Sequence, residues 1–124
     1  MARVLVAAQT TPSAFPSLPI GANTRDLAMQ AGDVALGNYA PIVERKTLVL
    51  LHNTFAGAKT VTFTSVADAY GRTGDITTYS IGQDELAIFG PFVAAGWSHG
   101  SDAAGGLWID VSDAAVEIAV ITLP

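Results

Sequence analysis

The chain has 124 residues, no cysteine, 14% charged and 50% hydrophobic residues, and a formal net charge of −5. That length suits one domain burying roughly two-thirds of its unfolded surface, and the missing cysteine excludes a disulfide framework, a thiolate nucleophile and a Cys-based zinc site. The six Lys and Arg are scattered singly, so direct nucleic-acid binding is not expected, and no apolar run approaches the roughly 20 residues of a membrane-spanning helix.

Average globular domains carry about 25% charged residues. A surface this poor in charge points to area hidden in an assembly, by self-association or by docking on a larger body. At the N-terminus the apolar run Val4 to Ala8 is too short for a signal peptide, and the segment reads as mature chain made in the cytoplasm.

In chain order, "RVLVAA" can add a strand, whereas "TTPSAFPSLPIG" contains Pro12, Pro16 and Pro19, which forbid a helix interior and a central strand. Residues 1–25 are therefore expected to form an extended Pro-rich arm. It carries Phe15, Leu18 and Ile20 between its prolines, and these side chains cover either the arm's own domain or a neighbour. Thr24 to Gln30 holds either a helical turn or a short strand before the turn signal Gly32-Asp33.

From Thr47 the pattern is strand. "TLVLLHN" and "KTVTFTS", joined by "TFAGA", read as a half-buried hairpin, with Val61 and Phe63 on one side and Thr60, Thr62 and Thr64 on the other. "DITTYSI", "ELAIFGP", "LWIDV" and "VEIAVITL" follow, rich in β-branched and aromatic residues and separated by Gly, Asp, Gln or Ser. Short turns and no long amphipathic helix predict an all-β fold, an antiparallel β-sandwich or jelly-roll-like barrel, as a single domain over 26–124.

The stretch "AYGRTGDITTYSIGQDELAIFGPF" (69–92) packs an Arg between two glycines beside an Asp. Gly71 and Gly74 tolerate positive φ on either side of Arg72 and Thr73, as a tight reversal requires. Asp75 is expected to bond local backbone, with Arg72 paired to Asp68 or Asp75. These residues read as a structural turn.

Other groups suggest chemistry only superficially. "GWSHGSD" gathers Trp97, Ser98, His99, Ser101 and Asp102 in one loop, but a triad needs groups converging from a preorganised frame, and no G-x-S-x-G elbow exists. His52 and His99 have no i, i+4 partner for zinc, and His52 reads as a satisfied edge residue. Asp68, Asp75, Asp84, Asp102, Asp110 and Asp113 lack D-x-D-x-D-G calcium spacing. Gly105-Gly106 is no phosphate loop, because the Walker Lys and its helix are missing. Neither catalytic nor metal-ligating residues, nor a cofactor, are expected. Trp97, Trp108, Tyr70 and Tyr79 offer flat faces for sugar rings or for core and interface packing.

The order "DLAMQAGDVALGN", "LVLLHNT", "TVTFTSVADAYGRTGDITTYSIGQDELAIFGPF", "GW" and "VEIAVITLP" resembles a family of small tailed-phage and prophage structural proteins, generally regarded as head decoration, or cement, proteins. The resemblance spans Asp26 to Pro124, and its most specific piece is V-A-D-A-Y-G-R-T-G-D-I-T followed by F-G-P-F. It implies a virion structural protein on the capsid exterior that bridges and stabilises subunits of the phage major capsid protein. A homo-oligomer is expected, a trimer before a dimer. Candidate contacts with the capsid or a second protomer are Phe15, Leu18, Ile20, Phe55 and Trp97. The competing reading is a carbohydrate- or receptor-binding sandwich on a phage tail or capsid, using Trp97, Trp108 and the "GWSHGSDAAGG" loop.

Overall fold

A computed structural model describes residues 3–11, 21–23, 26–100 and 105–124. Ten strands fall in two sheets, with one helical turn, α1 (Ala94–Trp97), and no longer helix among the described residues. The strands are β1 (Val4–Leu5), β2 (Ala8–Thr10), β3 (Gln30–Ala31), β4 (Asn38–Ala40), β5 (Thr47–Asn53), β6 (Lys59–Phe63), β7 (Ile76–Ile81), β8 (Leu86–Phe89), β9 (Leu107–Val111) and β10 (Val116–Thr122). The first sheet runs β1-β4-β9-β6-β7. The second runs β2-β10-β5-β8, with β3 also on β10. The all-β sandwich expected from the strand pattern is thus the architecture.

Its core follows from alternation. Val49 and Leu51 of β5 and Val116, Ile118 and Val120 of β10 meet Val61 and Phe63 of β6 and Leu107, Ile109 and Val111 of β9. Burying such side chains contributes roughly 1.5–3 kcal/mol each. Phe63 anchors an aromatic chain, with Phe89 at 4.8 Å and Phe92 at 5.6 Å between ring centroids. Trp97 continues it edge-on to Phe92 at 5.4 Å, which fixes α1 against the sandwich.

Three expectations are corrected. The sheets are mixed, because β1 pairs parallel with β4 and β2 pairs parallel with β10. Both N-terminal strands join partners far along the chain, so no tight turn dictates their direction. "RVLVAA" accordingly supplies parts of two strands, one per sheet, with Val6 buried at the crossing. Residues 4–10 belong to the sandwich, whereas the proline-bearing residues 12–20 of the expected arm lie outside the described residues.

The third correction concerns β5 and β6, which do not form a hairpin: β5 pairs with β10 and β8, and β6 with β7 and β9. Alternation reports one buried face but not which sheet a strand joins, and a five-residue connection can also cross the ~10 Å between sheets. Asn53 makes that crossing rigid. Its fully buried amide donates to the carbonyls of Gly57, Ile81 and Gly82, and its oxygen accepts from Phe55 N–H. One side chain thereby ties the end of β5 to the end of β7 in the opposite sheet.

Candidate functional site

The two outer faces differ sharply. On the first sheet, Tyr39 lies beside Trp108, and Thr62 beside Asp110. Arg3 donates to both Asp110 carboxylate oxygens at 2.7 and 3.3 Å and lies 4.3 Å from the Trp108 ring centroid. The His99 ring stacks on Trp108 at 3.7 Å with an interplanar angle of 4°. Two groups so close to one ring must occupy opposite faces, so both indole faces are covered.

On the second sheet the outward row of β8, β5 and β10 is Ile88, Leu50, Ala119, and Ala119, at 1% exposure, is covered at the β10 end of the row. The next row is Leu86, His52, Glu117, and on the other side Leu48 lies beside Ile121. Leu86 is 66% and Ile88 63% exposed, while Leu48, Leu50 and Ile121 are half-buried. Five aliphatic side chains thus share one solvent-facing surface. His52 and Glu117 interrupt it, with His52 Nε2 2.8 Å from Asp84 Oδ1. His52 lies on an interior strand, which corrects the expected edge position, and Asp84 satisfies it.

Among the described residues no three His, Cys, Asp or Glu side chains are grouped to hold a metal, and no buried side-chain polar atom lacks a partner. His99 Nε2 lies 2.7 Å from the Thr64 carbonyl oxygen, which positions its ring for stacking. Ser101 and Asp102 of the same segment lie outside the described residues. A shallow cleft of about 400 Å³ beside that segment is lined by Tyr39, Pro41, Ile42, Ser98 and three glycines, a set without a nucleophile–base pair.

The Gly71–Asp75 turn is self-contained. Asp68 Oδ1 accepts the N–H groups of Tyr70 and Arg72, and its Oδ2 accepts Arg72 Nε at 2.7 Å. The Arg72 N–H bond is the main reason the Asp68 carboxyl sits below the ordinary aspartate value. Asp75 is also lowered, first by the Ser65 hydroxyl at 2.7 Å and then by the Ser65 N–H at 2.8 Å. Arg72 therefore pairs with Asp68 and not with Asp75. Only Gly71 of the two glycines takes positive φ, at 76°.

Of the contact candidates, Phe15, Leu18 and Ile20 lie outside the described residues. Phe55 is 37% exposed beneath the Lys59 ammonium, 4.1 Å from its ring centroid, and Trp97 is half-buried on Phe92. Neither belongs to the apolar rows of the second sheet. Leu48, Leu50, Leu86, Ile88 and Ile121 went unnoticed in the sequence, although "LVLLHN" and "AVIT" are apolar at both odd and even positions. A strand apolar on both parities has two faces to bury.

Comparison with protein-family models, with curated proteins and with solved structures finds no significant match to this chain.

Proposed function

We propose that this chain is a virion structural protein that decorates the outside of a phage head shell and bridges subunits of the major capsid protein. The observation that carries this reading is the aliphatic outer face of the second sheet, Leu48, Leu50, Leu86, Ile88 and Ile121, on a molecule with 14% charged residues. Contiguous apolar surface of this kind marks a place where another macromolecule sits. The resemblance of the Val66–Thr77 stretch and the following F-G-P-F to phage decoration proteins names the class of partner.

The mechanism is mass action. Each copy binds the assembled shell and not dissociated subunits, so occupancy at 100 times Kd stabilises each site by about 2.7 kcal/mol. The first sheet, with its bonded Arg3, Asp110 and Trp108, would face solvent.

The test is co-sedimentation of the purified chain with expanded, undecorated shells of the phage that encodes it, titrated to saturation. Wild type is expected to saturate at a symmetry-related copy number and to raise the melting temperature of the shell. Leu50→Glu, which charges the middle of the face, is expected to weaken binding at least about tenfold, or 1.4 kcal/mol, with an unchanged circular dichroism spectrum. Wild-type affinity in the folded Leu50→Glu variant, or no wild-type binding, would overturn the proposal. The sugar-binding alternative draws no support from Trp108, whose faces are both occupied.

A further inference from the structure

The direction of the backbone along β8 follows from two hydrogen bonds of its neighbour. Asn53 N–H donates to Glu85 O at 3.1 Å, on the β8 side, whereas Thr54 N–H donates to Ala115 O at 3.0 Å, on the β10 side. Bonding directions alternate along an antiparallel ladder. Glu85, Ala87 and Phe89 therefore turn their N–H and C=O groups toward β5, and Leu86 and Ile88 turn theirs to the open edge. The two most exposed large aliphatic residues thus also present free backbone groups, because β8 ends its sheet and pairs only with β5 among the described residues.

Among the described residues the other sheet edges are blunted. The strands β1, β2 and β3 have two, three and two residues, and the Gln9 side chain of β2 is bonded to Asp26 and Ala28 backbone. The edge of β7 is broken by a register shift opposite Val61/Phe63 and by Thr78 at φ 45°. Bulges and very short strands are the usual protections against edge pairing. The four residues of β8 contain no charge, proline or bulge.

We infer that β8 is a self-pairing edge, through which two copies of this chain join antiparallel about a two-fold axis at Ala87, extending the second sheet across a dimer. In that register Leu86 faces Ile88 of the second copy and Ile88 faces its Leu86, giving four backbone hydrogen bonds. Ala87 meets its own counterpart in the close, non-bonded position, with Cα atoms about 4.5 Å apart, where a small side chain fits. Glu85 falls opposite Phe89 of the second copy. No carboxylate of the flanking "DE" pair confronts its equivalent, so two chains of net charge −5 meet along an uncharged strip.

The area suffices for a reversible dimer. The four-residue β8 is about 14 Å long, and two sheets ~10 Å apart with their side chains present a flank about 25 Å wide. Pairing along it buries about 700 Å² in total, the size of a weak, transient contact. The contact uses the β8 edge and leaves Leu48, Leu50 and Ile121 on the face, so it stands independently of shell docking. Of the two expected oligomers, it favours the dimer over the trimer.

Analytical ultracentrifugation of the full chain from about 1 to 100 µM is expected to show a reversible monomer–dimer equilibrium. Ile88→Pro removes the N–H aimed at the second copy but no bond to β5, and is expected to shift that equilibrium at least tenfold toward monomer. Because this variant risks misfolding, the second test is cross-linking in a chain that has no cysteine of its own. Counterparts about 4.5 Å apart lie within disulfide range, so Ala87→Cys is expected to form a covalent dimer on mild oxidation. The exposed-turn control Ala114→Cys is expected to stay monomeric. A strictly monomeric wild type, a trimer, or Ala87→Cys cross-linking no faster than the control would overturn the inference.

Discussion

Replacing Asn53 by Ala removes a fully buried amide that holds two sheets together. Its nitrogen lies 2.8 Å from Gly57 O, 2.8 Å from Ile81 O and 3.2 Å from Gly82 O, and its oxygen lies 2.9 Å from Phe55 N. With two N–H hydrogens, two full bonds are donated and one accepted, and at about 1 kcal/mol net per bond the loss is about 3 kcal/mol. Unfolding entropy near 2.1 cal/mol/K per residue makes 1 kcal/mol worth about 4 °C in a chain of this size. Asn53→Ala is therefore expected to lower Tm by about 12 °C, read by calorimetry or far-UV circular dichroism on a two-state transition. Asn53→Asp keeps the acceptor, loses both donors and buries a charge against carbonyl oxygens, so it is expected to be at least as damaging at neutral pH. A fall of less than about 4 °C in Asn53→Ala would refute the role given to this side chain in fixing the crossing from β5 to β6.

Acid should unfold the chain partly through Asp68, Asp75 and Asp113, whose carboxyls all sit below the ordinary value of 3.8 because they accept hydrogen bonds, chiefly from Arg72 N–H, the Ser65 hydroxyl and Ala115 N–H respectively. A depressed folded value means the unfolded chain binds more protons, so the contribution is complete above pH 3.8 and is lost as pH falls through the folded values. Melting curves across that range should show Asp75→Asn with a shallower acid slope than wild type, and equal slopes would contradict the Ser65–Asp75 account. In the neighbouring turn, Gly71→Ala meets open space but keeps φ at 76°, and should cost roughly 1–2 kcal/mol. Gly74→Ala has open space without positive φ, and should be neutral or stabilise by up to about 1 kcal/mol; equal effects from the two substitutions would refute this difference.

The strands from Thr47 onward were legible because each carries its own signal. Val61 and Phe63 alternate with threonines, and alternation of that kind is enough to name a half-buried strand. The turn at Gly71 to Asp75 was legible for the same reason, its bonds being made within ten residues. The helical turn Ala94–Trp97 was not foreseen, for it has no side-chain cap and no buried residue of its own. Trp97 against Phe92 holds it, and that contact depends on the assembled sandwich. The aliphatic face was missed because Leu50 and Ile88 are 38 positions apart in the chain and become neighbours only through the register of β5 with β8.

By itself, the amino-acid sequence determined that this chain is cysteine-free, weakly charged and all-β, because composition and residue alternation act locally, strand by strand. Tertiary structure decided what each strand lies beside: that β5 and β6 separate into opposite sheets, that the N-terminal strands pair in parallel, and that one outer face is aliphatic while the other is polar. A period of two tells which side of a strand seeks burial, and only long-range pairing tells what lies on the other side.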